Sequence, residues 1–212
     1  DYEPLSTEEA AKLVARIKEQ IPPWVRLQRV QRDIPSNLVD GGVKKSNLRQ
    51  LASDILTRNG GQCQCIRCRE IGHRSRKGQE MPEPEDVKLK RREYLGSGSK
   101  EVFLSFESDD GTLVGYSRLR EPSENAHRRE LTDSLLLREL KVFGPMVPIG
   151  LDLKDRWQHK GFGMKLLRES EKIAVEDFHK KELTVTSGIG AREYYRKFGY
   201  SRSGPYMTKE LN

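Results

Sequence analysis

The chain has 212 residues and a mass of 24.4 kDa, enough for one large domain or two small ones. Hydrophobic residues make up 34% and charged residues 33%, a polar balance. Yet apolar residues gather in runs at 102–106 and 135–142 that can build a core, which excludes a wholly disordered chain. No apolar stretch approaches the roughly 18 residues of a membrane span, and the first twenty residues are charged throughout. A soluble, cytoplasmic chain without membrane contact or signal peptide is therefore expected. The three cysteines, Cys63, Cys65 and Cys68, lie within six positions. An odd, clustered set argues for metal ligation in a reducing compartment, not for a disulfide framework.

The net charge of +7 is unevenly spread. Residues 26–77 hold twelve Lys/Arg against four acids, a surplus of eight, whereas residues 101–212 hold nineteen against eighteen. A basic module thus precedes a nearly neutral one. Concentrated positive charge suits a polyanion such as nucleic acid, through phosphate neutralisation and counterion release.

In chain order, Ser6 and Glu9 form a capping-box pattern ahead of a helix with Ala10, Leu13, Val14 and Ile17 on one face. The helix should stop at Pro22-Pro23. Residues 24–33 look extended, with Val25 and Leu27 alternating against arginines. Ser46 is the expected cap of a second helix to about Arg58, closed by Asn59-Gly60-Gly61. The cysteines follow at once. Residues 74–92 are charged and punctuated by Gly78, Pro82 and Pro84. They read mainly as a linker, or as the rim of the next domain.

From Glu101 the pattern changes. Residues 101–108 and 112–120 are two strands joined by Asp109-Asp110-Gly111, a hairpin signal. Residues 134–142 form a third strand with Leu135 and Leu137 alternating against charges. A long helix opens at Gly161 or Phe162 and runs to about Phe178. A short strand at 182–186, a short helix at 190–198 and a last strand at 204–211 complete the chain.

The most specific segment is Gln158-His159-Lys160-Gly161-Phe162-Gly163, between a strand and a helix. Its glycines let backbone N–H groups approach a ligand at a helix N-terminus, where a pyrophosphate binds favourably, and Lys160 adds a full charge. The dinucleotide fingerprint G-x-G-x-x-G fails because residue 166 is Leu, and the P-loop pattern is absent.

Q-x-x-G-x-G in this position resembles the acyl-CoA loop of the GNAT acetyltransferase superfamily, and the element order from residue 101 is similar to that fold. The expected class is therefore α/β: a GNAT-type domain, a mixed sheet flanked by helices, preceded by a small basic α-rich segment with a zinc-binding linker. The segment from Ser187 through Tyr194-Tyr195-Arg196-Lys197-Phe198-Gly199-Tyr200 to Gly204-Pro205-Tyr206-Met207 resembles, more narrowly, the Elongator catalytic-subunit family of tRNA wobble-uridine modifying enzymes. Arg32-Asp33-Ile34-Pro35, Lys44-Lys45-Ser46-Asn47-Leu48-Arg49 and Cys65-Ile66-Arg67-Cys68-Arg69-Glu70 resemble the same family.

That resemblance implies acetyl-CoA feeding a carboxymethyl group onto carbon 5 of uridine, with tRNA-triggered hydrolysis of the thioester. It also implies an upstream radical-SAM domain using S-adenosylmethionine and an iron–sulfur cluster. The family's C-x-x-x-C-x-x-C motif is not in this sequence, whose spacing is C-x-C-x-x-C. The expectation is a piece of a longer protein. Residues 1–60 would be the tail of the radical-SAM region, 61–95 a zinc-binding linker and 96–212 the acetyltransferase domain. Alone it should not modify uridine. Partners implied are tRNA, acetyl-CoA, the radical-SAM domain, and a second copy or Elongator-type subunits.

The site residues follow. Cys63, Cys65 and Cys68 supply three thiolates to a structural zinc, with Glu70, His73, water or an exogenous group as fourth ligand. By resemblance, Glu139, Leu140, Lys141 and Val142 pair with the peptide-like pantetheine arm. Gln158, Gly161, Phe162, Gly163 and Met164 cradle the pyrophosphate. A tyrosine lies near the thioester in the family, where a phenol can act as general acid. Tyr195 is the expected contact, with Tyr194 as core packing. Glu139 could serve as a base, and His159 and Lys160 could orient water or hold phosphate. Lys44, Lys45, Arg49, Arg67, Arg69, Arg74, Arg76 and Lys77 are the candidate tRNA-backbone contacts. Two other readings compete: a protein lysine N-acetyltransferase, and a zinc-stabilised RNA-binding module that only binds acetyl-CoA.

Overall fold

The computed structural model describes residues 3–32, 34–76, 80–144 and 161–211. Two compact units divide at Asp1–Glu70 and Ile71–Asn212. Among the described residues no helix is long and apolar enough to cross a membrane.

In the first unit, α1 (Thr7–Gln20) begins with the expected capping box. Ser6 N–H donates to Glu9 Oε2 at 2.9 Å, and Glu9 N–H donates to Ser6 Oγ at 3.3 Å. The helix ends at Ile21, before the two prolines. Its small residues Ala10, Ala11 and Ala15 are buried and allow close approach of α2 (Leu48–Arg58), which contributes Leu48, Ala52 and Leu56. The cap of α2 is Asn47, not Ser46, and its side chain makes no capping bond. Gly60, at φ +76°, and the Gly61 N–H bond to the Leu56 carbonyl close the helix as expected. Residues 24–33 differ from expectation: their described members join no ladder. Among the described residues no strand lies in this unit to pair with them. The Ile66 N–H bonds the Val25 carbonyl at 2.9 Å, and the Arg49 guanidinium donates to the carbonyls of Leu27 and Gln28 at 2.8 and 3.1 Å.

Lys18 is 1% exposed, and its ammonium donates to Ser53 Oγ, which in turn donates to the Arg49 carbonyl. A buried charge with one hydroxyl partner costs stability. Lys18→Met should therefore raise the stability of this unit by about 1 kcal/mol or more, read from the urea midpoint. A lower midpoint would contradict this reading.

The second unit is built on a seven-stranded sheet in the order β1-β2-β3-β4-β5-β7-β6. The strands are β1 (Lys88–Gly96), β2 (Ser99–Glu107), β3 (Leu113–Arg120), β4 (Ser134–Val142), β5 (Glu182–Val185), β6 (Ser201–Ser203) and β7 (Tyr206–Glu210). The short helices α3 (Ile66–Arg69) and α4 (Ile71–Arg76) precede it, one in each unit. Strands β1 to β4 form an antiparallel meander, and β4 pairs parallel with β5. A parallel pair needs a crossover, and that connection contains α5 (Phe162–Glu176). The short helix α6 (Arg192–Arg196) links β5 to β6.

One face of the sheet carries Val102, Leu104, Phe106, Leu119, Leu135 and Leu137. With Phe162, Leu166, Leu167, Ile173 and Ala174 of α5 they form the core. The other face of β2 to β4 mixes the buried, stacked rings of Phe103 and Tyr116 with charged residues such as Glu101, Arg118 and Glu139. Strand β1 occupies residues that the sequence reading gave to the linker. Its charges fall on both faces, so it shows no apolar alternation. It is an edge strand, where charges discourage pairing with other chains. It turns into β2 through Ser97 and Gly98, both at positive φ (48° and 75°), as a two-residue hairpin requires.

Candidate functional site

Strand β4 is the axis of the site. It pairs with β5 only over Ser134 to Leu137, opposite Glu182 to Val185, and Thr186 N–H adds one bond to the Leu137 carbonyl at 3.0 Å. Beyond Leu137, β4 continues beside β3 alone. The β5-side edge of residues 138–142 therefore faces an opening with no described strand against it. A bulge marks the same point. Arg118 pairs with Glu139 and Leu119 with Leu137, so Arg138 is the extra residue.

The first turn of α5 adjoins this strand end. Its N-cap is Gly161, at φ +80°, with no side-chain capping bond. The first N–H groups of a helix lack partners within it, and in α5 these are the groups of Phe162, Gly163 and Met164. Phe162 is 3% exposed and anchors the turn, its ring edge-on to Phe106 at 4.8 Å. A Cβ on Gly163 would lie 2.9 Å from Tyr194 Oη and 3.6 Å from Val142 Cγ2. The end of β4, the first turn of α5 and Tyr194 thus converge. Gln158, His159 and Lys160 lie outside the described residues.

The two tyrosines are arranged otherwise than expected. Tyr195, not Tyr194, is the ring in the core, 6% exposed and packed against Tyr200. Tyr194 is half-buried with its hydroxyl against Gly163. Adjacent helical residues point in different directions, and α6 turns the second one inward. Among the described residues neither hydroxyl has a hydrogen-bond partner. Tyr200, by contrast, donates to Glu171 at 2.9 Å. Burial, with the neighbouring Tyr194, pushes the Tyr195 phenol up to about 12.

Glu139 is positioned by three groups. Tyr116 Oη donates to it at 2.8 Å, Arg118 Nε lies 3.6 Å away and Lys141 Nζ 3.8 Å away. A larger network surrounds Glu101, which is 3% exposed. It accepts from Arg120 at 2.8 Å, Arg138 at 2.7 Å and Tyr94 at 2.6 Å. Burial opposes the Glu101 carboxylate, but Tyr94, Arg138 and Arg120 outweigh it and hold its pKa below the usual range. Sequence reasoning missed this network. The only signal was Glu101 in a run of apolar residues, which looks like any strand-end charge.

In the first unit the three cysteine sulfurs lie within 4.8 Å of one another. Cys65 is the N-cap of α3, and the Cys68 N–H returns to its carbonyl at 3.1 Å, one turn later. S–H groups of Cys63 and Cys68 donating to Cys65 hold its pKa well below the thiol range. The bond to Cys65 pushes Cys63 up, and bonds to Cys63 and then Cys65 push Cys68 up. Three sulfurs around one point fit a metal that accepts a tetrahedral thiolate set. Of the candidates for a fourth ligand, Glu70 is in an ion pair with Arg26, and His73 lies in the second unit.

The basic candidates separate. Lys44 and Lys45 are exposed, and Arg67 is partly so. Arg69 must be withdrawn as a phosphate contact. It is 6% exposed and donates to the carbonyls of Gln64 and Pro23, both at 2.7 Å, which ties the cysteine loop to the preceding segment. Arg49 is likewise engaged with backbone carbonyls. The side chains of Arg74 and Arg76, and the whole of Lys77, lie outside the described residues.

A meander joined by a parallel step to a shorter strand, with a glycine-capped helix at the opening, is the architecture of an acetyltransferase of the GNAT class. Residues 151–210 match the family model described as the acetyltransferase (GNAT) domain, and residues 1–58 match that of the radical-SAM C-terminal domain. The chain belongs to the family of the tRNA uridine(34) acetyltransferases and Elongator complex protein 3. It is 49% identical over 214 residues to the tRNA uridine(34) acetyltransferase of Methanocaldococcus jannaschii, covering 100% of this chain and 39% of that protein. With Elongator complex protein 3 of Homo sapiens it shares 44% over 217 residues, covering 99% of this chain and 38% of that protein. The solved structure of the archaeal Methanocaldococcus infernus Elp3 with an N-terminal deletion superimposes with a TM-score of 0.91 at 46% identity, over 99% of this chain and 50% of that one. The chain thus spans about two-fifths of the length of these curated relatives.

Proposed function

We propose that this chain binds acetyl-CoA and transfers or hydrolyses its acetyl group as part of an enzyme that carboxymethylates carbon 5 of the wobble uridine of tRNA, with hydrolysis triggered by tRNA. The observation that carries the reading is the edge of residues 138–142, against which no described strand lies, beside the glycine-capped start of α5. A pantetheine arm has the amide spacing to add to the edge of Glu139, Leu140, Lys141 and Val142 as a peptide would. Its pyrophosphate would then meet the N–H groups of Phe162, Gly163 and Met164, with Gly161 supplying the turn and Gln158, His159 and Lys160 completing the cradle.

Tyr195 is assigned to the thioester sulfur. A phenol raised to about 12 is a weak donor of a whole proton to a thiolate, since thiols titrate near 8.5. It stays protonated at every working pH, however, and can hydrogen-bond the sulfur as negative charge develops there. The role is therefore thiolate stabilisation, with the proton supplied by solvent, and not general acid catalysis in the strict sense.

In the first unit, zinc on Cys63, Cys65 and Cys68 ties the cysteine loop together. Lys44, Lys45 and Arg67, with Arg74, Arg76 and Lys77, contact the tRNA backbone. A radical-SAM domain with its S-adenosylmethionine and iron–sulfur cluster supplies the radical chemistry in the longer relatives. The test is an acetyl-CoA titration of the full chain and of Gly163→Val. Valine removes a helix-interior glycine but fills the space between α5, Val142 and Tyr194. Affinity should fall about tenfold or more, ~1.4 kcal/mol, while the melting temperature holds within a few degrees. Equal affinity would move the ligand elsewhere.

A further inference from the structure

We infer that Arg138, held by the buried Glu101, forms an anion subsite at the mouth of the β4–β5 opening that receives a backbone phosphate of the acceptor RNA. The inference rests on the reading above.

The bulge sets the geometry. Leu137 is the last β4 residue paired to β5, and it points into the core beneath α5. Arg138 and Glu139 project to the other face, where they meet Glu101 and Tyr116. An acyl-CoA with its phosphates at the start of α5 and its arm through the opening would present its acyl end on the Arg138 side. That is where an acceptor must approach.

The cluster is built and cationic. Among the described residues, Arg118, Arg120, Arg138 and Lys141 lie against two carboxylates, Glu101 and Glu139. One guanidinium would satisfy Glu101, and Arg120 already lies at 2.8 Å, with Tyr94 at 2.6 Å on the other oxygen. Arg138 is a further one. Its side chain is 44% exposed, and among the described residues only Nη1 is engaged, on Glu101 Oε1. A guanidinium offers five donors in a rigid fork suited to bidentate phosphate binding, and here the carboxylate fixes its position beforehand. Arg118 packs over the Phe103 ring and braces the same face. A lysine ammonium entering this face would meet cations, which disfavours an amine acceptor. A phosphate meets complementary charge.

The experiment measures tRNA binding by the full chain over a series of salt concentrations, for the parent, Arg138→Ala, Arg138→Lys and the exposed α5 control Lys172→Ala. Arg138→Ala should weaken binding about tenfold at low salt and reduce the slope of log K against log salt by about 1. Arg138→Lys should recover the slope but only part of the affinity. Lys172→Ala should match the parent. Thermal melts identify any variant that fails to fold, and the lysine variant then carries the test through its affinity. A slope in Arg138→Ala equal to that of the parent would overturn the subsite while leaving the tRNA reading intact. Failure of the parent itself to bind tRNA would overturn both. If tRNA binding is unchanged and only polyglutamate binding is lost, the subsite serves an acidic peptide and the RNA assignment is wrong.

Discussion

Tyr195→Phe is expected to fold and bind acetyl-CoA like the parent, yet to turn it over about 10²-fold more slowly. The substitution removes one oxygen from a ring that is otherwise core, and among the described residues that oxygen has no partner. A merely structural Tyr195 would lose nothing by this change. Its removal could even stabilise the unit slightly, because a buried hydroxyl without a partner is a cost. Melting temperature and acetyl-CoA affinity, the latter within about threefold, report packing. Thiol release reports the hydroxyl. The pH profile adds a sign. A donor whose pKa is raised loses its proton only as pH climbs through the raised value, about 12, so turnover should show no loss from this group up to about pH 10. Full turnover by Tyr195→Phe would remove the residue from the chemistry and leave Tyr194, at Gly163, as the one to replace next.

Cys65→Ala should release the metal and loosen the first unit. Cys65 is fully buried in a small cluster with Ala15, Ala52, Leu56 and Cys63. Losing one of three thiolates breaks a site whose binding energy is also folding energy, and the expected cost is on the order of 3 kcal/mol or more. Alanine is apolar, so a packing role alone would cost about 1 kcal/mol, and the difference identifies the metal. The parent should carry close to one zinc per chain by elemental analysis, and a chelator should lower its denaturation midpoint towards that of the variant. The helical signal of α1 and α2 reports the effect. A metal-free parent with a midpoint unmoved by Cys65→Ala would contradict the zinc reading.

What the sequence made legible follows the strength of its local signals. Strand β4 was found with both ends correct, because the leucines at 135–137 open a strand-length run with Leu140 and Val142, and polar residues flank it. Helix α5 was found because Gly161 and Gly163 punctuate a run of helical periodicity. The capping box at Ser6 and Glu9 is a local device, and it formed. Strand β1 was missed because an edge strand can be charged on both faces. Residues 24–33 have strand-like texture but no strand to join, a fact no local window contains. Arg69 and Arg138 show the same limit for function. Both are arginines among arginines in sequence. One is turned inward onto backbone carbonyls, and the other is held at the opening by a carboxylate 37 positions away. Which of the rings of Tyr194 and Tyr195 lies in the core was misread for a related reason. Adjacent residues on a short helix diverge, and only the packing of α6 decides which of them is buried.

The decisive measurement is thiol release from acetyl-CoA by the purified full chain, with and without tRNA. The opening beside residues 138–142 lies in one unit and the basic, cysteine-bearing module is the other, and the proposed function couples them. tRNA should raise release well above the protein-only rate, and Tyr195→Phe should abolish the increase. Acetyl-CoA binding with release unmoved by tRNA would contradict that coupling and leave the chain as an acetyl-CoA-binding module.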